Sequence, residues 1–121
     1  MEYVKLGRSD LEVSRIGVGC EQLGGADWGR FGLDEAVKGV RRAVELGVNF
    51  FDTAAGYDES ETLLGHALAN IPRHSFILAT KYSPIDESGE VVTAEEVRKS
   101  VNRSLERLGL DHVDVLQVHG L

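Results

Sequence analysis

Four short apolar runs, separated by segments with helical periodicity, constrain the fold of this chain more than any other feature. The runs cover 15–20, 48–52, 76–81 and 113–119, and amphipathic segments separate each run from the next. A short apolar run bounded by turn residues is typical of a strand buried on both faces of a parallel sheet. Strands that alternate with helices in units of about 30 to 40 residues predict right-handed crossovers and parallel strands in sequence order.

Capping residues predict where the elements begin and end. The predicted helix N-caps are Asp34, Ser60 and Thr93, the last with Glu96 at capping-box spacing. The predicted helix stops are Gly47, Pro72 and Gly109. Before the first core strand, Tyr3–Leu6 and Leu11–Ser14 flank a turn-rich linker and predict a β-hairpin. After that strand the sequence predicts a polar, glycine-rich loop, in which Trp28 either packs on the rim of the fold or contacts substrate.

Two architectures accept this order of elements: an open doubly wound sheet and a (β/α)8 barrel. Gly17-Val18-Gly19 begins like the phosphate-binding turn of the doubly wound fold, but position 22 is Gln and the first predicted helix starts more than ten residues later. We therefore favour a TIM-type (β/α)8 barrel, which takes about 250 residues when complete. Residues 1–121 are expected to form a single half-barrel domain, with the hairpin followed by strands 1–4.

Composition and charge argue against several classes of partner. The net charge of −7 disfavours nucleic acid and anionic membrane surfaces. No apolar run approaches the roughly 20 residues that a membrane span requires. With Cys20 as its single cysteine and no signal-like N-terminus, the chain is expected to be soluble and cytoplasmic. No spacing of His, Cys and acidic residues predicts a metal site.

Polar side chains end three of the predicted strands and lie on one face. Alternation gives Asp52, Lys81 and His119 the same orientation in neighbouring strands, so they are expected to stand side by side at the carboxyl edge. Sites in such folds are found at that edge. Tyr57 lies five residues beyond Asp52 and can fold back over the group. The acidic residues that follow are interpreted as first-turn helix charges: Asp58, Glu59 and Glu61.

This set of residue types suits reversible proton transfer to a carbonyl oxygen. A phenol is a poor acid at neutral pH, but an ammonium group within about 4–6 Å favours its anion. Lys81 can supply that charge, and Asp52 can hold Lys81. His119 can donate a hydrogen bond to a carbonyl oxygen and orient it. General acid–base catalysis is therefore the predicted chemistry.

The motifs that contain these residues closely resemble the aldo-keto reductase family along the whole chain: Gly47–Ala54, Tyr57–Gly65, Thr80–Lys81 and Gln117–His119. The resemblance implies a (β/α)8 barrel behind an N-terminal hairpin. It also implies interconversion of small aldehydes or ketones and alcohols with a nicotinamide cofactor, usually NADP(H), with NAD(H) possible. The family's catalytic tetrad corresponds to Asp52, Tyr57, Lys81 and His119.

The resemblance further implies which residues contact the cofactor. The family's loop after the first strand, often Gly-Thr-Trp, here reads Gly19-Cys20-Glu21. The implied cofactor contacts are Gly19, Cys20, Glu21 and Asp52. Family members bind most of the cofactor through the second half of the barrel, for which this sequence has no matching positions. We therefore expect the 121-residue chain by itself to bind NADPH weakly or not at all.

Two further function classes remain open. One is a Schiff-base lyase that uses Lys81, which the neighbouring Asp52 disfavours because imine-forming lysines need desolvation or a nearby cation. The other is a catalytically inactive half-barrel that acts as an assembly or interaction unit. A half-barrel leaves its first and fourth strands unpaired. It would also expose its inward apolar residues to water, which are predicted to include Ile77, Ala79, Val113 and Val115. Self-association, or pairing with a complementary half-barrel, is therefore expected.

Overall fold

A computed structural model describes residues 1–25, 29–30 and 32–120, and the predictions for Trp28 lie outside these residues. Strand β1 (Tyr3–Lys5) pairs antiparallel with β2 (Glu12–Ser14), which confirms the predicted hairpin. Asn49 ties this hairpin to the sheet, because its Oδ1 accepts from the Ser14 backbone N–H at 2.7 Å and its Nδ2 donates to the Glu12 carbonyl at 3.0 Å. The hairpin is therefore attached at the amino-terminal side of the core strands.

Four parallel strands form the sheet, in the order β3-β4-β5-β6. Their bounds are Val18–Gly19, Phe50–Asp52, Ile77–Tyr82 and Val115–Val118. Neighbours in the sequence are neighbours in the sheet, and all three pairings are parallel. The predicted β-α-β order is thus confirmed, although the strands are mostly shorter than the apolar runs. In the first run, Gly17 lies against Phe50, where a Cβ atom would meet Phe50 Cδ1 at 3.0 Å.

Four α-helices and one 3₁₀ turn accompany these strands in the described residues. The helices are α1 (Glu21–Gly24), α2 (Leu33–Glu45), α3 (Ser60–Leu68) and α4 (Ala94–Leu108), and the 3₁₀ turn is Arg73–Ser75. Helix α1 was not predicted, since its residues read as part of a glycine-rich loop. It stops after one turn at Gly25, whose φ of 83° is left-handed.

Two of the three predicted N-caps are wrong. Helix α2 begins at Leu33 with Gly32 as its N-cap, and Asp34 lies inside the first turn. Glu35, at the third helical position, accounts for the earlier start, because its Oε2 accepts the Gly32 backbone N–H at 3.2 Å. Ser60 is the first residue of α3, after the N-cap Glu59, and its hydroxyl is bonded elsewhere.

The predicted limits of α4 are confirmed. Thr93 Oγ1 accepts the Glu96 backbone N–H at 3.3 Å, while Glu96 Oε2 accepts the Thr93 backbone N–H at 2.7 Å. These two bonds are the capping box. Gly109 ends the helix with a φ of 66°, a left-handed conformation that favours glycine. Gly47 follows the end of α2 in the same way, with a φ of 90°.

The hydrophobic core lies between one face of the sheet and helices α2 to α4. Phe51 and Leu78 project into it from the strands and are fully buried. Its helical members are Val40, Leu64, Ala67, Leu68 and Leu108. Among the helices of the described residues, none is long and apolar enough to cross a membrane.

The opposite face of the sheet differs from the prediction. In an uncovered half-barrel Ile77 and Ala79 were expected to be open to water, but they are only 9% and 0% exposed. Val113 was also placed on this face, yet it precedes β6 and packs against the helix-side core. Within the four-stranded sheet, the exposed large apolar residues are instead Leu116 and Val118, on the helix-facing side of edge strand β6, at 43% and 46%.

Candidate active site

The register of β4, β5 and β6 brings the predicted polar residues to one edge of the sheet. Asp52 pairs with Ala79, and Lys81 pairs with Gln117. His119 follows directly after β6, and its backbone N–H donates to the Tyr82 carbonyl at 2.9 Å. Because side chains alternate along parallel strands, Asp52, Lys81 and His119 share the face opposite the helix-side core. The predicted juxtaposition is therefore present.

Asp52 and Lys81 form an ion pair at the centre of this edge. Lys81 Nζ donates to Asp52 Oδ2 at 2.6 Å and to the Thr53 carbonyl at 2.9 Å. The side chain of Lys81 is only 13% exposed, whereas that of Asp52 is 34% exposed. A shielded ammonium group needs such partners, because removing it from water without them is costly. The pair predicted from the sequence is confirmed.

Tyr57 folds back from the loop after β4 and lies over the ion pair. Lys81 Nζ is 4.9 Å from the centroid of the Tyr57 ring, a cation–π distance. The ring of His119 meets the Tyr57 ring edge-on, with centroids 5.2 Å apart and an angle of 89° between the planes. A phenol, an ammonium group and an imidazole thus face one small region of space.

Buried hydroxyl groups fix the loop that carries Tyr57. Ser60 Oγ donates to the Cys20 carbonyl at 2.6 Å and lies 2.9 Å from Thr53 Oγ1. On the other side, Gly24 packs so closely that a Cβ atom there would lie 2.2 Å from the Tyr57 carbonyl oxygen. Sequence reasoning missed this role for Ser60. The signal available was a hydroxyl residue at each end of a loop that bears a candidate acid.

Two further polar side chains bond to these strands, one on each face of the sheet, and neither bond was predicted from the sequence. Gln117 Nε2 donates to Asp52 Oδ1 at 2.8 Å, although alternation had already placed Gln117 on the correct face. Glu61 lies in the first turn of α3, as predicted, but it is buried, with only 1% of the residue exposed. Its Oε1 accepts from Thr80 Oγ1 at 2.6 Å and its Oε2 from Arg107 Nε at 2.7 Å. This charge is buried because a partner from α4 neutralises it.

The segment predicted to contact a cofactor contains both exposed and buried residues. Gly19 is exposed, with no atom within 4 Å of the position of a Cβ, and Glu21 is exposed in α1. Cys20 is fully buried, its backbone N–H donates to the Asp52 carbonyl at 2.8 Å, and its own carbonyl accepts from Ser60. Burial, followed by the charge of Asp52, raises the pKa of the Cys20 thiol to about 12. A planar ligand group could therefore approach the backbone at Gly19. Cys20 instead holds the loop in place through its backbone hydrogen bonds to Asp52 and Ser60.

In residues 1–25, 29–30 and 32–120, no group of three or more His, Cys, Asp and Glu side chains is arranged to hold an ion.

The sequence matches the Aldo/keto reductase family model over residues 15–121. L-galactose dehydrogenase of Arabidopsis thaliana is 44% identical over 125 residues, which are 100% of this chain and 39% of that protein. A crystal structure described as an aldo-keto reductase from Pseudomonas aeruginosa is 32% identical, with a TM-score of 0.83, over 98% of this chain and 47% of that one. An aldo-keto reductase from Klebsiella pneumoniae, solved in complex with NADPH, is 25% identical, with a TM-score of 0.70, over 89% of this chain and 36% of that one.

The chain thus spans about two fifths of the length of the first curated relative, and its four parallel strands correspond to part of a (β/α)8 barrel. The match includes all four core strands and every described residue of the polar cluster at their carboxyl ends. The chain belongs to the aldo-keto reductase family.

Proposed function

We propose that this chain supplies the proton-transfer residues of an NAD(P)H-dependent oxidoreductase that interconverts small aldehydes or ketones and alcohols. One observation carries the proposal: Lys81 Nζ is held by Asp52 Oδ2 at 2.6 Å and lies 4.9 Å from the Tyr57 ring. Family membership supports the reaction class, and this geometry supports a distinct task for each residue.

Tyr57 is the proposed proton donor to the carbonyl oxygen during reduction, and the proton acceptor in the reverse direction. The ammonium group of Lys81 favours the phenolate that is left after the proton has gone. Asp52 holds Lys81 in place, and His119 orients the carbonyl through a hydrogen bond. A bound nicotinamide cofactor supplies or accepts the hydride. The protein's own residues are thus responsible for the proton and for alignment.

NADP(H) is the proposed cofactor, with NAD(H) as the second candidate. The exposed backbone at Gly19 and the side chains of Glu21 and Asp52 would face it, while the buried Cys20 would keep the loop in shape. Most of the binding energy is proposed to come from residues outside these 121. Titration calorimetry of the 121-residue chain with NADPH and with NADH should therefore give weak or undetectable binding. A micromolar dissociation constant would contradict this part of the proposal.

Exchanging the phenol tests the proton donor. In a polypeptide that contains these residues and reduces carbonyls, Tyr57→Phe should lower kcat by at least about 10²-fold, the loss typical of removing a general acid. Lys81→Met should have a similar effect, with little change in cofactor affinity. Tyr82→Phe, which removes a phenol from the same sheet but not from the cluster, is the matched control. Turnover close to wild type in Tyr57→Phe would show that another group donates the proton.

The substrate is proposed to be a small carbonyl compound or alcohol. A relative that is named L-galactose dehydrogenase covers the whole chain at 44% identity, so hydroxylated substrates are the first to test. The assay compares L-galactose oxidation with reduction of a simple aldehyde, each with both cofactors. Activity on neither, in a polypeptide that binds nicotinamide, would rule out the proposed chemistry.

A second candidate, a half-barrel acting as an assembly unit, is favoured by the apolar surface on β6. Leu116 and Val118 are 43% and 46% exposed on an edge strand, and β3 is the opposite edge of the sheet. A polypeptide of these 121 residues is proposed to self-associate, most simply as a two-fold pair in which β6 of each copy meets β3 of the other. Sedimentation should show a dimer. In thermal unfolding, its melting temperature should rise with protein concentration. A compact monomer with a concentration-independent melting temperature would contradict it.

A further inference from the structure

Asp52 is held on both of its oxygens, by donors from two different strands. Lys81 of β5 binds Oδ2 at 2.6 Å, and Gln117 of β6 binds Oδ1 at 2.8 Å. A carboxylate that accepts at one oxygen can still rotate about its terminal torsion, whereas one held at both oxygens by separate strands cannot. The orientation of Asp52, and with it the position of Lys81, therefore depends on Gln117.

The bond from Gln117 crosses an entire strand. Asp52 pairs with Ala79 and Ala79 pairs with Val115, so β5 lies between the strands that carry the two bonded residues. Adjacent strands are about 4.8 Å apart, so the two side chains together bridge about 10 Å. Level with Asp52 on β5 is Ala79, whose side chain is a single methyl group, and level with Gln117 is Lys81, so the bond runs diagonally over β5. Gln117 is long enough to span this distance.

The orientation of the Gln117 amide follows from its partner. An ionised carboxylate only accepts hydrogen bonds, so the amide nitrogen of Gln117 must face Asp52. The donor is neutral, so it satisfies Oδ1 without adding a positive charge that would compete with Lys81. A second cation at this position would draw Asp52 away from Lys81.

On these grounds, and given the proposed function, we propose that Gln117 is a positioning residue for proton transfer. By donating to Asp52 Oδ1 across β5, it keeps Oδ2 on Lys81 and so keeps the ammonium group at its place over the Tyr57 ring. It acts through Asp52 and Lys81.

Three substitutions test this role. Gln117→Leu keeps the approximate size and removes the donor. Gln117→Glu keeps the shape and replaces the donor with an acceptor at neutral pH, and the introduced carboxyl group can donate again once it is protonated. Val118→Thr changes the exposed face of the same strand and is the matched control.

In an active polypeptide, Gln117→Leu should lower kcat by about tenfold with KM nearly unchanged, the pattern expected when transition-state alignment alone is lost. Gln117→Glu should be impaired at neutral pH and recover relative to wild type as pH falls. The charged and titratable groups that surround the introduced carboxyl are Asp52 of β4, Lys81 of β5, His119 after β6 and Tyr57 of the loop. The Cys20 thiol on the far face stays neutral over this range, because its pKa is about 12.

A second measurement does not depend on activity. The ¹³C–¹H signals of the Tyr57 ring, assigned with Tyr57→Phe, report the ammonium group that lies 4.9 Å from the ring centroid. They should move in Gln117→Leu and not in Val118→Thr, and in Gln117→Glu they should return toward wild type in acid. If the parent polypeptide lacks reductase activity, the proposed function fails while these spectra still decide the role of Gln117. Ring signals in Gln117→Leu that match those of Val118→Thr would overturn the positioning role.

Discussion

Gly65 sets how closely α3 and α4 approach, and exchanging it for alanine should destabilise the fold. A Cβ atom at this position would lie 2.6 Å from the carbonyl oxygen of Leu108, and 2.8 Å and 2.9 Å from two further backbone atoms of that residue. Backbone atoms cannot move away by changing rotamer, so the helices must separate. Overpacking of this kind costs about 1–3 kcal/mol.

Gly39 is the matched control for this substitution. It also lies inside a helix, α2, but no atom stands within 4 Å of its Cβ position. Gly39→Ala should therefore raise the free energy of unfolding by about 0.5–1 kcal/mol, the gain in helix propensity. Since Gly65→Ala receives the same gain, the difference between the two variants isolates the clash and should be about 1–3 kcal/mol.

Urea denaturation of both variants, at a concentration where sedimentation shows a single species, measures this difference. The slopes should agree with wild type, so that the shift in midpoint reports stability alone. Equal midpoints for Gly65→Ala and Gly39→Ala would refute the reasoning, because they would mean that the two helices can separate at no cost.

Three other predictions follow from buried or capped groups. Arg107→Met leaves the carboxylate of Glu61 buried without its counter-charge and should cost about 3 kcal/mol in urea denaturation; no loss would contradict the ion pair. Hydrogen bonds from the Thr93 backbone and hydroxyl lower the pKa of Glu96 below its ordinary value of 4.5. Its contribution to stability is therefore full above that value and is lost as pH falls through the folded-state pKa, so the stability difference between wild type and Glu96→Gln should shrink in acid and not in base. Burial raises the pKa of Cys20 to about 12, so at pH 8 a disulfide reagent should react slowly with the native chain and rapidly in urea; equal rates would contradict its burial.

The sequence by itself determined the order of the elements and the face on which the acid and base groups lie. Strand alternation has a period of two, and β-α-β units have one hand, so Asp52 and Lys81 could be assigned to one edge without knowing any distance. The capping box at Thr93 was equally predictable, because both partners are three residues apart. These features are local, or repeat with a fixed period.

Only the tertiary structure decided which of several possible partners each polar group takes. Ser60 was a plausible N-cap from its neighbours alone, but its hydroxyl donates instead to the carbonyl of Cys20, the residue that follows β3, at 2.6 Å. Glu61 is a first-turn charge by its local position, but its ion pair with Arg107 of α4 depends on how the two helices pack.

Gln117 meets Asp52 diagonally across β5, because the strand register places Gln117 level with Lys81 and Asp52 level with Ala79. Each of these bonds joins residues at least 40 positions apart in the sequence. Which distant groups come within 3 Å depends on strand register and helix packing, and no local pattern in the chain encodes those distances.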